Sequence, residues 1–77
     1  MAPEAIVARV FGLARPAVTE ATSNATTDAW DSLSHVTLIL ALEAEYGVSF
    51  AAEDALTMTS VGAIKRVLEN YGVTWDA

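Results

Sequence analysis

Ser32 and His35 stand three residues apart, with Asp28 and Asp31 just before them. A hydroxyl, an imidazole and a carboxylate spaced like this on one helical turn could form a nucleophile–base pair. The other parts such chemistry needs are missing, since the chain has no Gly-rich nucleophile-elbow turn and no evident oxyanion hole. His35 then reads as a packing or surface residue. Asp31 is a good N-cap, which puts Ser32 at about the first helical position, with its hydroxyl near unpaired backbone N–H groups. The positive end of the helix dipole at that point favours an anionic group carried on the serine oxygen. Ser32 therefore reads as a modification site, and no catalytic residue is assigned. Glu43, Glu45, Glu53 and Asp54 match no calcium loop, and a single histidine cannot make a zinc site, so no metal centre is expected. These carboxylates read as a solvated face that steers partners.

Asp31-Ser32-Leu33 follows an aromatic residue, Trp30, and opens an apolar stretch ending Glu43-Ala44-Glu45-Tyr46-Gly47-Val48. Farther on come Phe50-Ala51-Ala52-Glu53-Asp54 and Ser60-Val61-Gly62-Ala63-Ile64. Together these segments resemble the acyl/peptidyl carrier protein family, from about Trp30 to Leu68. The resemblance implies that Ser32 is esterified with 4′-phosphopantetheine taken from coenzyme A, with Asp31 and Leu33 completing the cofactor-binding motif. It implies that the arm's terminal thiol holds acyl, aminoacyl or related intermediates as thioesters for a fatty-acid, polyketide or other specialised pathway. The implied partners are a phosphopantetheinyl transferase, a loading ligase or transferase, and downstream synthase enzymes with basic docking patches. Those enzymes would do the chemistry, and the carrier itself would be non-catalytic. A cofactor-free helical adaptor is the alternative, because the same amphipathic pattern would serve it.

The elements that must position Ser32 follow from periodicity and punctuation. Pro3 suits the first turn of a helix, and Ile6, Val10 and Leu13 recur at helical spacing with Val7, Phe11 and Ala14 alongside. Pro16 predicts the end of this helix, giving a span of roughly 3 to 15. Residues 16–29 are rich in Thr and Ala and form a long connection, with a short helical turn expected around Ala17 to Ala21. Trp30, at the end of this loop, is expected to pack into the core. The second helix, about 32 to 46, is apolar nearly all round. Leu38, Leu42 and Tyr46, with Ile39 beside them, are assigned to the core, while Leu33, Val36 and Leu40 form a second row on the flank of Ser32. A small domain cannot readily bury both rows, so the second is expected to be an exposed docking surface, with Val36, Leu40, Glu43, Glu53 and Asp54 as its candidate contacts. Gly47 is placed to end this helix, and Phe50 to plug the core. Glu53 to Thr57 fits a single turn. Ser60 reads as the N-cap of a last helix through Asn70, with Val61, Ile64, Val67 and Leu68 inward and Lys65, Arg66 and Glu69 outward. Residues 73–77 form a tail in which Trp75 either folds back or stays loose.

The fold class is thus all-α, a small three- to four-helix bundle of the carrier type with a long loop between helices one and two, in one domain spanning residues 1–77. Ten acidic and four basic side chains give a formal net charge of −6, which disfavours nucleic acid and anionic membranes and favours basic protein patches. The chain has no cysteine, so disulfides and thiolate metal sites are excluded, and a thiol on the attached arm would be the only one present. Neither a signal peptide nor a stretch of transmembrane length is visible, and a cytoplasmic, freestanding monomer is expected.

One departure from the family bears on partners. Fatty-acid carriers usually place several carboxylates along the outer side of helix two, where this chain has Ser34, His35 and Thr37. A carrier serving a dedicated pathway is therefore expected. Because an unperturbed histidine titrates at about 6.5, His35 is also expected to lend positive charge beside a phosphodiester on Ser32 under mildly acidic conditions.

Overall fold

A computed structural model describes residues 1–76. Its helices are α1 (Pro3–Phe11), α2 (Ser32–Tyr46), α3 (Ala52–Thr57) and α4 (Val61–Asn70), with a 3₁₀ turn at Arg15–Ala17. No β-strand occurs among the described residues; the only β feature is an isolated bridge between Ser23 and Ser60. The fold is an all-helical bundle in which α1 packs on α2 and α4, and α3 on α4. No helix among the described residues is long and apolar enough to cross a membrane.

The core is built where apolar side chains recur at helical spacing. Ile6, Val7 and Phe11 of α1, Leu38 and Leu42 of α2, and Val61, Ile64, Val67 and Leu68 of α4 are buried together, joined by Val18, Trp30 and Met58 from the connections. Trp30 is 3% exposed and stacks on Phe11 with ring centroids 5.0 Å apart, which anchors the end of the long loop. Ile39, Tyr46, Phe50 and Trp75 pack against this core only partly buried. The tail therefore folds back through Trp75. Tyr46 keeps its hydroxyl outside the core, donating to the Met1 carbonyl at 2.6 Å.

Several elements differ from the expectation. α1 ends at Phe11 rather than near residue 15, because Gly12 adopts the left-handed conformation at φ 67°. The Gly12 and Leu13 N–H groups both return to the Ala8 carbonyl, a glycine-capped helix end that closes the helix before Pro16 matters. Val10 and Leu13 are accordingly only half-buried, and the inward row is Ile6, Val7 and Phe11. The helical turn of the loop lies at Arg15–Ala17, set by Pro16, instead of at Ala17 to Ala21.

The long loop is held down by backbone pairing. The Asn24 N–H donates to the Thr59 carbonyl (3.0 Å), Val61 N–H to Thr22 (2.9 Å) and Gly62 N–H to Glu20 (3.0 Å). The first donors of α4, which no helix can satisfy internally, thereby find acceptors in the loop, and Ser60 Oγ takes the Ala63 N–H at 3.1 Å. The loop passes close to Gly62 here, where a Cβ would lie in contact with the Glu20 carbonyl oxygen at 3.4 Å. Lys65 adds a polar tie by bridging Glu4 of α1 (2.6 Å) and Glu20 of the loop (3.2 Å).

Candidate functional site

Ser32 stands at the first position of α2 and is exposed. The residue that starts the helix is Asp31. Its extended backbone (φ −95°, ψ −176°) turns the chain, its Oδ1 accepts the Ser34 N–H at 2.9 Å, and its carbonyl accepts the His35 N–H at 2.8 Å. Ser34's backbone N–H, helped by its hydroxyl, holds the Asp31 carboxyl below its ordinary value, so it is a carboxylate at neutral pH. With capping done by Asp31, the Ser32 hydroxyl has no part in holding the helix and faces solvent beside the positive helix end.

A groove of about 450 Å³ opens next to this hydroxyl. Asn24 and Thr59 wall it on the loop side, Trp30 and His35 form its back, and Val36 of α2 and Leu56 of α3 supply apolar edges. Both polar and apolar surface is therefore within reach of a group attached at Ser32. Around the groove the apolar exposure is large: Leu33 is 82% exposed, Val36 57%, Leu40 60% and Leu56 76%. The core row of the same helix, Leu38 and Leu42, is 0% exposed, so α2 has one face inward and one without cover in the chain itself.

The family model described as a phosphopantetheine attachment site matches residues 4–68 of the 77-residue chain. The chain belongs to this family. Comparison with curated proteins finds no match. The match makes the chain a phosphopantetheine-binding carrier domain, whose cofactor is covalently attached 4′-phosphopantetheine. Carrier domains of this kind are generally non-catalytic and work with a phosphopantetheinyl transferase and partner enzymes.

Within the carrier domain, the structure brings Asp31, Ser32 and Val36 to one groove and places Leu33 and Leu40 on the adjoining open face. The acidic candidates are dispersed and mostly engaged. Glu43 lies three helical turns beyond Ser32, roughly 16 Å along the axis, and its Oε2 accepts the Phe50 N–H at 2.8 Å. Asp54 Oδ2 accepts the Tyr71 hydroxyl at 2.6 Å, while Glu53 is exposed.

In this structure His35 is turned to partners other than Ser32. The Trp30 indole N–H donates to His35 Nδ1 at 3.0 Å, so Nδ1 carries no proton. Nε2 lies 2.8 Å from the Ala55 carbonyl, which only accepts, so Nε2 carries the proton. Both nitrogens are engaged in this arrangement, which removes the ring as a base for Ser32. The sequence held a signal for the pairing. Trp30 and His35 occupy the positions before the cap and one turn into the helix, which commonly pack together as a staple at helix starts, and here their rings stack at 18° with centroids 6.3 Å apart. Asn24, Leu56 and Thr59 carried no such signal and join the site only through the tertiary fold.

Proposed function

We propose that Ser32 is the residue to which the arm is attached, and that the domain presents thioester-bound acyl, aminoacyl or related intermediates to partner enzymes in a dedicated biosynthetic pathway. The observation that carries this reading is the exposed Ser32 hydroxyl, free of any capping duty, at the start of α2 and beside a groove. When bound, the arm supplies the thiol that bears the cargo. The chain's own residues contribute placement. Asp31 fixes the first turn, and the positive end of α2 favours the charge of a phosphodiester there. Asn24 and Thr59 offer polar contacts and Val36 and Leu56 apolar ones to a group that has both kinds of surface.

Leu33, Val36 and Leu40 are the proposed docking face, with the Glu53 carboxylate and the remaining oxygens of Glu43 and Asp54 at its margins. The front of α2 carries Ser34, His35 and Thr37 in place of carboxylates, which supports partners that bury apolar surface more than they pair charges. Equal affinity for a fatty-acid ketosynthase and for a dedicated partner would overturn the pathway part of this reading.

The test of attachment is intact mass after incubation with coenzyme A, magnesium and a broad-specificity phosphopantetheinyl transferase. The parent should gain one phosphopantetheine and Ser32→Ala none. A folded parent without the gain would favour a cofactor-free helical adaptor, which the exposed row on α2 would serve equally well.

A further inference from the structure

α3 is a six-residue helix with no buried side chain of its own. Partly buried Phe50 before it and fully buried Met58 after it reach the core, so the helix is held at its ends. Between those ends its position is set by polar bonds: Asp54 to the Tyr71 hydroxyl on the α4 side, and the Ala55 carbonyl to His35 Nε2 on the α2 side. The Ala55 carbonyl belongs to the last turn of α3 and receives only a long 3.3 Å bond from the Met58 N–H within its own segment. His35 completes it from the neighbouring helix. Leu56, the next residue, and Thr59 just beyond the helix both wall the groove beside Ser32.

We infer that His35 is a positioning residue of the attachment site, a latch that holds α3 against α2 and so sets the width of the groove. Trp30 makes the latch directional. By donating to Nδ1 it leaves the ring proton on Nε2, where it must be to engage Ala55. This inference rests on the reading of Ser32 as the attachment residue and adds what keeps the groove next to it formed. A transferase that contacts both α2 and α3 then meets one arrangement of them. Loss of the latch lowers the fraction of molecules in that arrangement, which raises apparent KM in proportion and leaves kcat unchanged.

Two variants separate the latch from simple packing. In His35→Gln the amide nitrogen takes the place of Nε2 and still donates to Ala55, while in His35→Asn the amide oxygen takes the place of Nδ1 and keeps only the Trp30 bond. Amide hydrogen exchange of residues 52–58 in the unmodified protein should be near parental in His35→Gln and about five- to tenfold faster in His35→Asn, as expected for one lost hydrogen bond. The transferase KM should follow the same order at constant kcat. Unchanged exchange in His35→Asn, or faster exchange in His35→Gln than in His35→Asn, would overturn the latch. Ring-nitrogen NMR on the parent tests it without any variant: a proton on Nδ1 would overturn it. Parent protein that gains no phosphopantetheine, yet shows this exchange order, would overturn the Ser32 reading and leave the latch standing. Normal gain with unaltered exchange would do the reverse.

Discussion

The hydroxyl of Tyr71 donates to the carboxylate of Asp54 across 2.6 Å, and the same oxygen accepts the Ala51 N–H at 2.9 Å. One phenol thus holds both the entry and the body of α3 to the end of α4, with its ring edge-on to Phe50 at 5.2 Å. Tyr71→Phe keeps the ring and removes both bonds, so hydrogen exchange in residues 51–55 should quicken while α1, α2 and the rest of α4 stay protected. The bond to Asp54 also raises the Tyr71 phenol above its ordinary value. A group raised on folding contributes stability that is intact below its unfolded value of about 10 and is lost as pH climbs through the raised one. The parent should therefore lose more stability than Tyr71→Phe in alkaline titrations.

Ser32→Ala should abolish modification and leave the fold intact, since the cap is Asp31 and Ser32 is exposed. Its unfolding free energy should stay within about 0.5 kcal/mol of the parent in urea melts. A larger loss would give the hydroxyl a structural role that the geometry denies it.

The two faces of α2 should respond oppositely to truncation. Leu42→Ala empties a site that is fully buried and should cost about 2–5 kcal/mol, much of what a small domain has. Leu40→Ala, at a position 60% exposed, should hardly move the melting temperature, and its effect should show as slower loading by partner enzymes.

Acid should weaken the fold through two carboxylates. Ser34's N–H lowers Asp31. At Glu4, burial is the largest single influence and pushes upward, but the Lys65 hydrogen bond, a backbone hydrogen bond and the Lys65 and Arg15 charges together outweigh it, and the carboxyl ends below its usual value. Groups lowered on folding contribute stability above their unfolded values, near 4, and lose it as pH falls through the lowered ones. Lys65→Met should reverse the sign at Glu4. Its side chain is only 12% exposed, so without the ammonium burial dominates, and the variant's deficit of about 1–3 kcal/mol at neutral pH should shrink on acidification. Urea melts of parent and variant across the acid range check both signs.

The bounds of α2 and α4 were readable because side chains mark them: Asp31 and Ser60 accept the N–H groups three residues on, and Gly47 closes α2 at φ 65°. The two rows of α2 were readable from spacing, and so was the core place of Trp30. The end of α1 was obscured by two competing stop signals, and Gly12, the quieter one, acts first. What periodicity cannot carry is the path of the long loop, because its pairing to Thr59, Val61 and Gly62 uses backbone atoms that every residue type shares. For the same reason Asn24 and Thr59, the loop-side wall of the site, gave no warning in the sequence, and neither did the full burial of Met58. His35 was visible as a residue. Its role depended on Ala55, twenty positions away.

The lacing of the loop to the head of α4 has a consequence for when the site exists. Helices close through neighbours in the chain, whereas the Thr22–Val61 and Asn24–Thr59 pairings join segments about forty residues apart and are expected to form late in folding. Asn24 and Thr59 are also two walls of the groove at Ser32. The groove is therefore a property of the finished molecule, while Ser32 and its helix cap are local and can appear early. A modifying enzyme that reads the groove as well as the helix would pass over half-folded chains, and loading with the arm would double as an inspection step.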